Sequence, residues 1–212
     1  MYDLMMRLPL LAWVLLCTTM QSRGLVGVLN AAPADSVYFI HIAMRLSTIA
    51  FLVLLVAAVI LRTRPSAKAS GLEPRISALI GTFLITAIVL FPRRELSPAA
   101  GIVSTLLILT GNALAVYVLM QLGRSFSVMA EARRLVTTGV YRIVRHPLYL
   151  AEELAVFGMV MQFLSFWTAL LLAVQIAFQL RRMRNEETIL GETFPEYGAY
   201  KTKTARLIPG IY

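Results

Sequence analysis

Long apolar stretches limit what this chain can fold into more than any other feature of its sequence. Four of them reach or approach the roughly 20 residues that cross a bilayer core as a helix. They are Leu8–Met20 (extending towards Leu29), Val37–Leu61, Ile76–Pro92 and Pro98–Leu122. The first follows a basic residue, as in a signal peptide, but lacks a small-residue cleavage site, so we expect a transmembrane helix. With 58% hydrophobic residues and a mean hydropathy of +0.75, the chain is predicted to be an all-α, polytopic integral membrane protein.

Two further apolar stretches, Leu148–Phe163 and Phe166–Leu180, are short for separate spans at a rise of 1.5 Å per residue. They predict a re-entrant helical hairpin over residues 148–180, hinged near Leu164 and Ser165, which brings the membrane helices to five or six. Residues 1–122 then hold the four spans, and residues 123–212 form a region that faces the cytoplasm and carries the hairpin. The polar residues 181–212 are expected to be a tail with one short helix and an extended end.

The basic residues predict the orientation. Of the 20 Lys and Arg residues, sixteen fall on the side of the N-terminus if the four spans alternate, and this bias favours a cytoplasmic N-terminus and C-terminal region. The formal charge of +9 is explained in the same way, since no folded basic domain is available to bind nucleic acid. One cysteine excludes an intramolecular disulfide, and two histidines leave little for a transition-metal site.

A compact set of ionisable groups marks the candidate site. The segment Arg145-His146-Pro147-Leu148-Tyr149 precedes the hairpin, and Arg182 with Glu186-Glu187 follows it. Ionisable residues in or near hydrocarbon are costly, so a concentrated set indicates a functional site. A residue before proline avoids helical geometry and proline suits the first helical turn, so His146 is placed at the start of a helix. The free N–H groups there favour an anionic group such as a carboxylate.

Other readings of the charged residues stay open from the sequence alone. Arg182 and Glu186 share a helix face, so they form either a surface ion pair or a site for ribose hydroxyls or an ammonium group. Glu152-Glu153 either complement the positive helix end or contribute to a site. His41 and Arg45 line a polar cavity, or Arg45 snorkels towards the interface. No Walker loop, GxGxxG, GxSxG or HExxH motif is present.

The ordered motifs of the C-terminal half resemble the isoprenylcysteine carboxyl methyltransferase family and the related phospholipid methyltransferases. The resemblance covers about residues 120–212. The matching segments are Leu135–Tyr141, Arg145–Tyr149, Glu186-Glu187, Phe194–Tyr197, Tyr200 and Ile208-Pro209.

This resemblance implies a cofactor, S-adenosylmethionine, held on the cytoplasmic side. The implied cofactor-binding residues are Arg133, Arg134, Leu135, Val136, His146, Pro147, Leu148, Tyr149 and Glu186. Tyr141 and Arg182 are implied to face the methyl acceptor as catalytic residues. Arg133 stands where relatives often have histidine, and Arg184 and Glu187 are alternatives to Arg182 and Glu186.

The implied function is methyl transfer to a lipophilic acceptor, such as the carboxylate of an isoprenylcysteine, an isoprenoid acid or a lipid acid. A carboxylate is already nucleophilic at neutral pH, so the protein must mainly exclude water and position the reactants. Partners are then prenylated or lipophilic substrates and membrane lipid. The alternatives are methylation of a phospholipid amine or small thiol, a nicotinamide-dependent reductase resembling sterol reductases, and a membrane scaffold without enzymatic activity.

Overall fold

The computed structural model describes residues 2–30 and 36–210, and it is almost entirely helical. Its elements are, in chain order, α1 (Tyr2–Asn30), α2 (Ser36–Leu61), β1 (Ala67–Lys68), α3 (Glu73–Phe83), α4 (Pro98–Leu122), β2 (Glu131–Ala132), α5 (Pro147–Met161), α6 (Phe166–Thr193) and α7 (Tyr197–Lys203). Short 3₁₀ turns occupy Leu84–Leu90, Gly123–Ser125 and Gly139–Arg142.

Four helical segments among the described residues are long and apolar enough to cross a membrane. They are Leu10–Asn30, Tyr38–Leu61, Glu73–Leu90 and Pro98–Ser125. With 75% of the chain helical, these segments confirm the predicted all-α polytopic membrane architecture.

Close packing between α4 and α5 organises the bundle. A Cβ added at Gly111 of α4 would lie 2.5 Å from the backbone nitrogen of Ala155, and one at Gly158 of α5 would lie 2.6 Å from the carbonyl oxygen of Ser104. Both helices therefore approach at backbone distance, as small residues permit in membranes. Helix α2 also packs on α4, α1 packs on α2, and α3 packs along α6.

The hairpin of α5 and α6 is present, and its tip contacts the α3–α4 connection. The backbone nitrogen of Arg94 donates to the carbonyl oxygen of Gln162 at 2.8 Å, and the Arg93 guanidinium donates to the Gln162 side chain at 2.7 Å. Ser165 caps α6 through a reciprocal capping box with Thr168. The hairpin therefore reaches the end of the bundle opposite the two-stranded β1–β2 ribbon.

The expected end of the second hairpin helix at Leu180 is wrong, because α6 continues to Thr193. The polar residues after Leu180 are good helix formers, and Arg182, Met183, Glu187 and Ile189 are all buried. These residues keep one face of α6 packed beyond the apolar stretch, which apolarity alone does not detect. The expected short helix of the tail is α7.

Candidate active site

A cavity of about 110 Å³ lies at the β1–β2 end of the bundle. Its wall is built from the end of α4, the segment 125–136, the start of α5, the polar half of α6, and α7. All but one of the residues predicted for the site line it: Arg133, Arg134, Leu135, Val136, Tyr141, His146, Leu148, Tyr149, Arg182 and Glu186. The exception is Pro147, which is buried at the first turn of α5 and starts that helix.

Glu187 lies behind the wall and ties three segments together. Its carboxylate accepts hydrogen bonds from Arg145 Nε at 2.9 Å and from Arg206 Nη2 at 2.7 Å, and His146 Nε2 lies 3.2 Å away. Burial raises the pKa of this carboxyl, but the hydrogen bonds from His146, Arg206 and Arg145 outweigh it and hold the pKa well below its usual range. Glu187 is therefore ionised at neutral pH and organises the C-terminal segment.

Glu186 faces the cavity instead. The Tyr149 hydroxyl donates to Glu186 Oε1, and Arg182 Nε lies 3.3 Å from the same oxygen. His146 Nδ1 lies 4.0 Å from Glu186 Oε2. The side chain of Glu186 is 20% exposed and that of Glu187 only 4%, so Glu186 rather than its neighbour can reach a ligand.

Arg182 is buried and held by three elements. Its Nη1 donates to the Thr82 hydroxyl at 3.0 Å and its Nη2 to the carbonyl oxygen of Ser127 at 3.4 Å. The guanidinium also lies 4.8 Å from the centre of the Tyr149 ring. The Arg182 Nε–H is not aligned for a hydrogen bond with Glu186, so that contact is an ion pair only.

Tyr141 enters the cavity from the 3₁₀ turn that begins at Gly139. Gly139 has φ +61°, a left-handed conformation that favours glycine, and a Cβ there would lie 2.1 Å from the side-chain oxygen of Gln121. The Tyr200 hydroxyl donates to the carbonyl oxygen of Tyr141 at 2.7 Å. Burial, followed by the charge of Glu186, raises the pKa of Tyr141 far above its usual value, so its hydroxyl stays protonated at neutral pH.

The two neighbouring arginines of the predicted cofactor segment differ in environment. Arg133 is buried and donates to Glu131, whose carboxylate also accepts from the Ser127 hydroxyl at 2.8 Å. Arg134 is exposed at the rim. The β1–β2 ribbon fixes this segment, and Lys68 Nζ lies 3.6 Å from Glu131.

The sequence interpretation missed about half of the cavity wall. The additional lining residues are Leu122, Ser125, Phe126, Ser127, Met129, Glu131, Leu190, Tyr197 and Tyr200. Arg145 also lines the cavity, and it belongs to the charged segment that the sequence had marked. Tyr197 and Tyr200 belong to the motif that carried the resemblance, which could have identified them. Glu131 stands in a polar loop without a motif, and only its contact with Arg133 identifies it.

His41 and Arg45 do not line this cavity. Arg45 Nη1 donates to the Gln21 side chain at 3.1 Å, and the guanidinium packs against Gly24 of α1. Arg45 therefore joins α1 to α2 and is separate from the candidate site.

A comparison with protein families matches residues 99–197 to the phospholipid methyltransferase family. This segment runs from α4 to the start of α7 and includes every predicted site residue. The family also includes isoprenylcysteine carboxyl methyltransferases, so the predicted resemblance is confirmed over this segment.

Two curated proteins are similar to part of the chain. The nickel-cobalt-cadmium resistance protein NccN of Alcaligenes xylosoxydans xylosoxydans is 32% identical over 82 residues, which is 38% of each chain. The cobalt-zinc-cadmium resistance protein CzcN of Cupriavidus metallidurans is 32% identical over 78 residues, or 36% of each chain. The similarity therefore spans little more than a third of either relative.

Proposed function

We propose that this chain, whose residues 99–197 match the phospholipid methyltransferase family, is an S-adenosylmethionine-dependent methyltransferase with a lipophilic acceptor. One observation carries the proposal. The residues that the resemblance assigns to cofactor and acceptor are spread from Arg133 to Glu186 in sequence, yet almost all of them line one cavity.

The donors and acceptors of the cavity fit this cofactor. S-adenosylmethionine combines an ammonium group, a carboxylate, ribose hydroxyls and a positively charged sulfonium. Glu131 and Glu186 offer carboxylates for the cationic groups and hydroxyls, while Arg133 and the start of α5 at His146 suit a carboxylate. When bound, the cofactor would supply a methyl group on a good leaving group. The protein then has to orient the acceptor and exclude water.

The first candidate acceptor is the carboxylate of an isoprenylcysteine-like, isoprenoid or lipid acid. Arg182 lies in the floor of the cavity and carries the charge that would hold such a group. Tyr141 keeps its proton at neutral pH and so acts as a hydrogen-bond donor rather than a base. A carboxylate acceptor needs no general base, so a protonated Tyr141 is consistent with this acceptor. The apolar tail would lie among the helices, in contact with lipid.

A phospholipid amine is the second candidate, and a specific observation favours it. The Arg182 guanidinium already forms an ion pair with Glu186. Glu152 lies one helical turn from Tyr149 on α5, and its charge acts on both Tyr141 and Arg182. This acidic surrounding favours a cationic headgroup over an anionic one.

The cavity is inferred to face the cytoplasm from the distribution of basic residues.

The acceptor is tested with S-adenosylmethionine labelled in its methyl group. The purified protein is incubated in detergent with a farnesylated cysteine derivative, an isoprenoid acid or phosphatidylethanolamine. A carboxyl ester releases labelled methanol in base, whereas an N-methyl product is stable to base. Label in neither lipid class, from folded protein that binds the cofactor, contradicts both candidates. Glu192→Gln, an exposed change on α6, is the matched control.

The metal resistance named for the two relatives is not carried over to this chain. Within residues 2–30 and 36–210, no group of three or more His, Cys, Asp or Glu side chains is placed to hold a metal ion.

A further inference from the structure

A cluster of acidic and amide side chains lies between α5 and α6, one to two helical turns below the cavity. Gln175 Nε2 donates to Glu153 Oε1 at 2.8 Å, and Gln179 Nε2 lies 3.5 Å from Glu152 Oε2. Gln175 also donates to the carbonyl oxygen of Gly81 at 3.3 Å, which brings α3 into the cluster. Nothing in the proposed methyl transfer uses Glu153 or Gln175.

The cluster holds more hydrogen-bond acceptors than donors. Two carboxylates and two amides present six oxygens, whereas the amides supply only four N–H groups, and one of these is directed at Gly81. Glu153 Oε2, Gln175 Oε1 and Gln179 Oε1 are buried without a hydrogen-bond partner. Gln175 is only 2% exposed and Gln179 3% exposed. Exchanging the oxygen and nitrogen of either amide does not remove this shortage of donors.

The charge of the cluster is only partly compensated, because Arg182 acts electrostatically on Glu152 but no described cation acts in this way on Glu153. Among the described residues, neither Glu152 nor Glu153 forms an ion pair. The guanidinium of Arg182 makes its contacts with Glu186, Thr82 and Ser127 instead. The Glu153 carboxylate has no balancing cation within the described part of the chain and lies beside buried acceptors without hydrogen-bond partners, which favours a positively charged ligand.

We propose that this cluster is a binding site for a monovalent inorganic cation, Na⁺ or K⁺. Carboxylate, amide and backbone carbonyl oxygens are the ligands that hard cations prefer, and these are the groups that the cluster presents. One charge balances Glu153, while the charge of Arg182 acts on Glu152. The ion joins α3, α5 and α6 directly below Tyr149 and Arg182, so it stabilises the floor of the cavity.

Thermal unfolding of the detergent-purified protein, without cofactor or acceptor, tests this site. Samples contain Na⁺, K⁺ or the bulky cation N-methyl-D-glucamine as chloride salts at the same ionic strength of about 0.15 M. We expect a Tm about 2–6 °C higher with one or both inorganic cations. Glu153→Gln removes the charge at nearly constant volume, and its Tm should not respond to the cation. The exposed Glu192→Gln should keep the wild-type response.

Equal Tm values in all three salts for the wild type would overturn the proposal and mean that Glu153 is protonated instead. A cation response that persists in Glu153→Gln would also overturn it. If that variant does not fold, Gln175→Met, which lacks the amide oxygen, should lose the response in its place. Because the assay requires no methyl transfer, its result is independent of the proposed function.

Discussion

Replacing Glu187 by glutamine should destabilise the protein strongly, although this residue does not line the cavity. The substitution preserves the size of the side chain and removes the charge that Arg145 and Arg206 share. These two side chains are only 8% and 16% exposed, so each would be a nearly buried cation that has lost the carboxylate balancing its charge. Removing one member of a buried pair costs about 3–5 kcal/mol. Lys201, which is 52% exposed, adds little to this value.

For a chain of this length, that loss lowers Tm by about 6–20 °C. The assay is thermal unfolding of the purified protein in detergent, with Glu192→Gln as an exposed control on the same helix. A Tm for Glu187→Gln within about 2 °C of this control would refute the reasoning. Arg145 also donates to the carbonyl oxygens of Lys201 and Thr204, so the segment that carries α7 should become more accessible to protease in the variant.

The pH dependence of this difference has a definite sign. The pKa of Glu187 is lower in the folded protein than in the unfolded chain, so its contribution is present above the unfolded value of about 4.3. The contribution is lost as the pH falls through the folded value. The difference in Tm between wild type and Glu187→Gln should therefore stay constant from pH 7 to pH 5 and narrow below about pH 4. A difference that widens in acid would contradict the assigned charge state.

Three further outcomes are expected. Gly111→Ala should lower the free energy of unfolding by about 1–3 kcal/mol, because its Cβ would lie 2.5 Å from the backbone nitrogen of Ala155 on α5. Gly101→Ala on the same helix is the control, since its Cβ would meet nothing within 4 Å. Arg182→Ala should reduce turnover of the acceptor more than affinity for S-adenosylmethionine. An equal loss of both would contradict the assignment of Arg182 to the acceptor. Tyr141→Phe should leave cofactor affinity unchanged. Because burial raises the pKa of Tyr141, the pH dependence of wild-type turnover should show no step from ionisation of this tyrosine up to about pH 10.

Much of the architecture follows from local sequence. Apolar stretches of bilayer length predict the four membrane helices, because backbone groups in hydrocarbon must pair within a helix. His146-Pro147 predicts where α5 begins, because the geometry is local to those two residues. The C-terminal end of α6 could not be predicted from local sequence. Its last half is polar, and its buried face is visible only once Arg182 and Glu187 have partners from distant segments.

The candidate site shows the same limit. The resemblance identified the residues of the cavity but could not decide between Glu186 and Glu187. Adjacent residues on a helix point about 100° apart, and only the arrangement of the neighbouring segments places Glu186 at the cavity and Glu187 behind it. Glu131 lies in the cavity wall on the strand β2, which pairs with β1, and no local sequence pattern predicts this long-range pairing.

Calorimetric binding of S-adenosylmethionine and S-adenosylhomocysteine to the detergent-purified protein is the most direct test of the central claim. We expect saturable binding of both sulfur ligands, no binding of NADPH, and a loss of about tenfold or more in affinity for Glu186→Ala and His146→Ala. Glu192→Ala should bind as the wild type does. Folded protein that binds neither sulfur ligand, or that binds NADPH instead, would contradict the assignment of the cavity to a methyltransferase.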